Sequence, residues 1–233
     1  MFHVKQSDKV MESPANSPTD HAADQAEALR LVPVSEQTGR LLGQFVALLD
    51  ERSARFNLIS RSSRGTIWTR HVADSLQLLA LAPKAKTWVD LGSGAGFPGL
   101  PIACALVGSP GATVHLVESV GKKAAFLREV VEQLKVPAVV HHVRIEDFVK
   151  NFRESPDVVT ARALAPLNRL LTLAEPLLKK SALGLFLKGQ DIDAELTEAS
   201  KYWNIDVELV PSKTSPQSRI VVVRGLRRRP KNK

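Results

Sequence analysis

The sequence predicts an α/β protein of Rossmann-like architecture, with a mostly parallel seven-stranded sheet and an N-terminal helical cap. Three observations lead there. Trp88, Val89 and Leu91 form an apolar run around Asp90 that passes directly into Gly92, Gly94, Gly96 and Gly99, and a helix-like apolar stretch starts near Pro98. Short β-forming runs then alternate with segments of helical spacing, as strand–helix–strand crossovers require. Two helical stretches precede the first strand and must sit as a cap.

Residues 1–34 are polar, carry Pro14 and Pro18, and are expected to be flexible. The main domain is expected over 35–226, divided into a cap (35–82) and an α/β core (87–226). In the cap, Leu41, Leu42, Phe45, Val46 and Leu49 recur at helical spacing within 35–56, and a second helix is expected over 67–81. After the glycine loop, 113–118 consists of β-formers apart from His115. Phe126, Leu127, Val130, Val131 and Leu134 then share one face of a helix over 122–135. Strands at 139–143 and 157–160, a helix at 166–179 and an apolar strand at 183–187 follow. The segments 205–210 and 219–223 form a closing pair that supplies an antiparallel edge. Residues 227–233 are a basic tail.

At 233 residues the chain accommodates one large domain with appendages. Its single cysteine, Cys104, excludes an intramolecular disulfide and a cysteine-based metal cluster, and the six histidines are scattered, so no metal is expected. No stretch reads as a signal peptide or is long enough to span a membrane, so a cytoplasmic location is expected. From Lys213 to the end there are eight basic residues and no acid, which equals the whole formal charge of +8. A second cluster, Arg52, Arg55, Arg61, Arg64 and Arg70, has no intervening acid. Both are candidate phosphate-contacting surfaces, set against the plainer reading of a solvated helix face and a solubilising tail.

Strand, glycine turn and helix N-terminus bring backbone close to a ligand with little side chain between. Asp90-x-Gly92-x-Gly94-x-Gly96 is the form used by S-adenosylmethionine (SAM) methyltransferases. Gly94-x-Gly96-x-x-Gly99 also satisfies the dinucleotide fingerprint, with Glu118 near the expected distance downstream. Two details favour SAM. Asp90 sits where it could meet the ammonium end of a methionine moiety and would repel a pyrophosphate. Pro98 and Pro101 remove amide donors that a pyrophosphate would use. A blander alternative is that Asp90 caps a turn and the glycines only permit close packing.

In open α/β sheets the ligand lies beyond the carboxyl ends of the strands. That rule collects the glycine loop, Glu118 for ribose hydroxyls, Ile145, Glu146 and Asp147 for an adenine edge, and Thr160, Ala161 and Arg162. No Asp/Asn-Pro-Pro-aromatic motif follows the fourth strand, which disfavours methylation of an exocyclic base amine. Cys104 falls in the helix after the glycine loop, facing the core, which disfavours a covalent route through cysteine.

Asn57-Leu-Ile-Ser60, Arg70-His71-x-x-Asp74-Ser75, Asp90-Leu-Gly-Ser-Gly-Ala-Gly-Phe-Pro-Gly99, Glu118-Ser-x-Gly-Lys-Lys123, Arg162-Ala and Leu187-Lys-Gly-Gln190 occur in this order. In this combination the chain resembles the bacterial 16S ribosomal RNA guanine-N7 methyltransferase family (RsmG, also called GidB), over about 35–224. The resemblance implies methyl transfer from SAM to N7 of one guanine in the 530 loop, with the small ribosomal subunit as partner. It also places Gly92, Phe97, Ile145, Glu146 and Arg162 on the family's cofactor positions. Guanine N7 carries a free lone pair at neutral pH, so catalysis can rest on alignment in a pocket that excludes water.

Asp90, Gly92, Gly94, Gly96, Phe97, Glu118, Ile145, Glu146 and Arg162 are therefore the candidate cofactor residues. Arg70, His71 and Asp74 are candidates for positioning the substrate, with Asp74 able to offset the charge that forms on the purine. Asn57, Arg61, Lys188 and Gln190 are candidates for RNA contact. The enzyme is expected to act as a monomer, without metal or membrane. A nicotinamide-dependent oxidoreductase and a non-catalytic RNA-binding assembly factor remain open at this point, and calorimetry with SAM and with the dinucleotide separates them.

Overall fold

The computed structural model describes residues 21–230 apart from Asn57. Its strands are β1 (Thr87–Leu91), β2 (Thr113–Val117), β3 (Ala138–His141), β4 (Val158–Arg162), β5 (Leu183–Lys188), β6 (Trp203–Pro211) and β7 (Arg219–Arg228). They form one sheet of order β3-β2-β1-β4-β5-β7-β6, parallel from β3 to β5 and closed by antiparallel β7 and β6. The strand order reverses between β1 and β4, where Asp90 lies opposite Thr160. Such a switch point opens a crevice at the carboxyl ends of both strands.

Strand side chains alternate between two apolar layers, as the two-residue strand period demands. Trp88, Val114, Leu116, Leu185 and Ile220 belong to one layer. There they pack beneath α2 (Glu36–Phe56), α4 (Gly99–Ala105), α5 (Gly121–Leu134) and the rest of the cap. Val89, Leu91, Val159, Phe186 and Val221 face the other layer, with α6 (Ile145–Asn151), α7 (Leu167–Leu178) and α8 (Ile192–Ser200). Among the described residues no helix is long and apolar enough to cross a membrane, and no cluster of His, Cys, Asp or Glu could hold a metal ion.

The N-terminal lead departs from the expected flexibility. Residues 1–20 lie outside the described residues, but Ala22–Leu31 forms a helix, α1. Its polar residues are anchors: Asp24 accepts hydrogen bonds from Trp68 N (2.7 Å) and Thr69 Oγ1 (2.6 Å), and Ala28 is buried. The helix expected over 67–81 also differs. It is a chain of short turns: 3-10 over Arg61–Thr66, π over Trp68–Ala73, α3 (Asp74–Leu76) and 3-10 over Gln77–Leu81. Ser75 Oγ donates to His71 O at 2.5 Å and Gln77 Nε2 to Asp74 O at 3.2 Å. Side chains that bond nearby carbonyls in this way compete with regular helix geometry.

Neither α6 nor α8, both short, is expected from the sequence pattern. β7 runs further than the expected 219–223: Arg227 and Arg228 continue that strand opposite Asn204 and Trp203, past a register shift at Asp206/Val207. The basic tail therefore starts later than residue 227, and residues 231–233 lie outside the described residues. Arg52 is not a free phosphate ligand. Its Nη2 and Nε contact Glu129 at 2.5 and 3.0 Å, tying α2 to α5.

Candidate functional site

Two cavities open side by side at the switch point. The first, of about 400 Å³, is lined by the loop after β1, Glu118 at the end of β2, Ile145 at the start of α6, and Arg162, Ala163 and Leu164 after β4. The cap closes it with Leu58, Ile59, Ser63 and His71. The second, of about 540 Å³, is lined by Arg70, His71, Asp74, Lys188 and the Thr214–Pro216 segment between β6 and β7. His71, Arg162 and Ala163 belong to both, so these three residues form the boundary.

The first cavity is built largely from backbone. The loop must fold tightly over α4: at Gly96 (φ +103°) an added Cβ would lie 2.4 Å from Leu100 Cδ1. At Gly99 it would lie 2.2 Å from Leu116 Cδ2 and 2.9 Å from Asp90 Oδ2. Only glycine allows both approaches. The Glu118 carboxylate, 6% exposed, accepts from Gly94 N (2.9 Å) and Val120 N (2.7 Å). It is thereby fixed at the strand end with lone pairs to spare.

Asp90 plays a different part from the one expected. It does not line the cavity; Oδ2 accepts from Gly99 N (3.2 Å) and Oδ1 from Thr160 Oγ1 (3.1 Å), beneath the loop. Burial raises its carboxyl to about 6 against the hydrogen bonds from Ser93, Thr160 and Gly99. These bonds hold the carboxylate beneath the loop, because a strand-end side chain pointing inward reaches the helix N-terminus before it reaches the crevice. Gly96 likewise packs behind the loop. Glu146 also turns away: its Oε1 meets Arg169 Nη2 at 3.1 Å, and both side chains are exposed. Gly92, Gly94, Phe97, Glu118, Ile145 and Arg162 do line the first cavity.

The boundary is a stack of rings and charge. His71 lies 5.1 Å from the Phe97 ring, and the Arg162 guanidinium lies 5.3 Å over the other residue of that contact, Phe97 itself. Arg162 Nη1 donates to Arg70 O (2.9 Å) and stands 3.8 Å from Asp74 Oδ2. Burial and the neighbouring Arg162 and Arg70 charges push His71 down to about 3, so the ring is neutral. Burial also lowers Arg162, opposed by Asp74 and Asp90. Ala163, the next residue, has φ +50°. A non-glycine residue held in that region is a local strain that clusters at functional sites.

The second cavity is a side-chain network. Asp74 Oδ1 accepts from Gln77 Nε2 (2.8 Å), Thr214 Oγ1 (2.8 Å) and Ser212 Oγ (3.2 Å). Burial raises the Asp74 carboxyl, and these donors together with Arg162 oppose the rise. Lys188 lines the cavity, but its Nζ is engaged by Glu195 Oε2 (2.5 Å) and Ala165 O (2.9 Å). Gln190 is exposed and lines neither cavity. Asn57 lies outside the described residues, and of Arg61 only the backbone is described. Sequence reasoning missed Gln77, Ser212 and Thr214; the Ser212–Ser218 stretch, rich in hydroxyls and proline, was the available signal. Cys104 is buried with its thiol raised to about 12, which leaves it no nucleophilic role.

Comparison with known proteins agrees with this geometry. The family described as GidB, rRNA small subunit methyltransferase G, matches residues 39–221. A Ribosomal RNA small subunit methyltransferase G from Bradyrhizobium sp. (strain BTAi1) is 55% identical over 87% of this chain and 91% of the relative. Another protein of that name, from Bradyrhizobium sp. (strain ORS 278), is 54% identical over 93% of this chain and 98% of the relative. Among solved structures, an O-methyltransferase from Bacillus cereus in complex with SAH superposes with a TM-score of 0.56 at 16% identity, covering 88% of this chain and 97% of that one. At that identity the likeness is one of fold.

Proposed function

The chain belongs to the GidB family, rRNA small subunit methyltransferase G, and from that premise we propose that it methylates N7 of one guanine in the 530 loop of 16S ribosomal RNA. It is a SAM-dependent methyltransferase, so neither the oxidoreductase reading nor the non-catalytic one is retained. The observation that carries the acceptor assignment is the pair of cavities joined at His71, Arg162 and Ala163. A methyl donor on one side and a flipped base on the other would meet at that boundary.

The first cavity fits SAM on its own terms. Glu118, buried and already oriented by two amides, is placed for the ribose hydroxyls. Ile145, Leu58 and Leu164 offer apolar walls for the adenine. The backbone of Gly92–Ala95 with Arg162 would hold the methionine end. When bound, SAM supplies an electrophilic sulfonium methyl.

This chain's residues then align and shield. Guanine N7 needs no deprotonation, so no residue has to act as a general base; His71 is neutral and packs against Phe97 at the boundary. Its role is to shape the passage. Asp74 supports the positive charge that develops on the purine, held in place by Gln77, Ser212 and Thr214. Arg70 at the mouth contacts phosphate. The enzyme works in the cytoplasm, as a monomer, on the small ribosomal subunit. Incubation with labelled SAM and subunits that lack the modification, followed by chemical cleavage at N7-methylguanine, tests the reading. Label at that atom in the 530 loop is expected; label elsewhere overturns it.

A further inference from the structure

A third groove, of about 950 Å³, shares no lining residue with either cavity. Its wall carries Lys201, Tyr202, Asn204 and Arg229, and its floor is Trp203 beneath Arg228. We propose that this groove binds a single-stranded segment of the RNA that flanks the target guanine. The proposal rests on the RNA-methyltransferase reading above.

The floor is held rigid. Trp203 Nε1 donates to Asn168 Oδ1 (2.8 Å), and the Arg228 guanidinium lies 4.8 Å over the Trp203 ring while it forks onto Glu175. Against this floor stands Tyr202, the only tyrosine in the chain, 53% exposed. Arg229 N donates to Tyr202 O (2.8 Å) and Arg229 Nε to Trp203 O (3.3 Å), which leaves its remaining N–H groups facing solvent. Among the described residues Arg229 has no acidic partner and no acid lines the groove, whereas Lys201 Nζ meets Glu198 Oε2 at 2.5 Å. An exposed ring beside the Arg229 guanidinium, which no acid neutralises, is the chemistry that takes a stacked base and a backbone phosphate together.

A protein partner would seek a central apolar anchor. Here the large apolar side chain, Trp203, is already covered by Arg228, and Asn168, Thr172 and Asn204 complete a polar lining. The position is also right for a flanking strand. Asn168 in the groove is five residues from Ala163 at the cavity boundary, a span of at most about 18 Å along extended chain. Along β7 the way is longer: Arg228 in the groove lies nine residues beyond Arg219, the partner of cavity residue Lys188, about 30 Å of extended strand. RNA leaving the acceptor cavity runs several nucleotides over the surface to reach the groove.

The test uses the full chain. Ultraviolet cross-linking to an oligouridine of about twelve nucleotides, mapped by mass spectrometry, is expected to label Tyr202. Tyr202→Ala is expected to weaken oligouridine binding about tenfold, with Tyr202→Phe near wild type. Arg229→Ala should lower the salt slope of log K by about 0.7. For methylation of small subunits both variants should raise KM, leaving kcat and SAM affinity as in wild type. Cross-links confined to the acceptor cavity, or variants that bind oligouridine like wild type, overturn the proposal. Lost subunit binding with unchanged oligouridine binding would assign the groove to a ribosomal protein and also overturn it. Cross-linking at Tyr202 by a chain that methylates no ribosomal RNA would keep the groove and remove the reading of function.

Discussion

The two cavities that meet at Arg162 are built in opposite ways. The first is made from strand ends and one glycine loop, and its fixed group, Glu118, is oriented by backbone amides. The second is made from side chains, with Asp74 and Gln77 bonded to Ser212, Lys213 and Thr214 across 135 to 140 residues of sequence. On the proposed reading, a cofactor shared by many reactions is met by backbone, which the fold supplies. On the same reading the acceptor is met by side chains on the cap and the last loop, the parts appended to the fold.

The strongest way to break this contrast is Glu118→Ala. It removes the carboxylate and strands two amide donors, so SAM affinity should fall about 100-fold by calorimetry, consistent with two charge-assisted hydrogen bonds lost. Gly99→Ala attacks the same cavity through packing. Its Cβ has no room against Leu116 and Asp90, and the variant should lose about 1–3 kcal/mol in denaturant unfolding. On the acceptor side, Thr214→Val deletes one donor to Asp74 and should cost about 1 kcal/mol, roughly fivefold in kcat/KM for methyl transfer. SAM affinity should not move.

The boundary is read in the pH dependence of stability. His71 titrates near 3 in the folded chain and near 6.5 when free. Between those values the unfolded state binds more protons, so the stability this group permits falls as pH drops through the window. His71→Asn loses the ring against Phe97 and should start less stable at pH 7. Its deficit relative to wild type should then shrink on acidification, by up to about 1.4 kcal/mol per pH unit. Thermal melts of both proteins from pH 7 to pH 4 read this directly; parallel curves would show that His71 is free to protonate.

The same contrast explains what was legible in the sequence. Strand, glycine turn and helix are contiguous, so β1, the loop and Glu118 could be read from local pattern and the strand-end rule. Direction was harder. Asp90 and Glu146 have the right residue type at the right place, yet one points under the loop at Gly99 N and the other out to Arg169. Lys188 lines the second cavity, but no local pattern points to the Glu195 that engages it, since α8 is only nine residues long. The hydroxyls around Asp74 were invisible because nothing local ties residue 74 to residue 214. The cap broke the helix pattern because its polar side chains, Asp24 and Ser75 among them, bond backbone that a regular helix would satisfy itself.

The most direct test of a divided site is SAM calorimetry on Asp74→Ala beside its methyl-transfer rate. Asp74 faces only the second cavity, so SAM should bind as tightly as to wild type while transfer to unmethylated small subunits falls about tenfold or more, the loss of a preorganised charge at the acceptor. A SAM affinity that falls in step with the transfer rate would contradict the account, and would mean that the two cavities act as one.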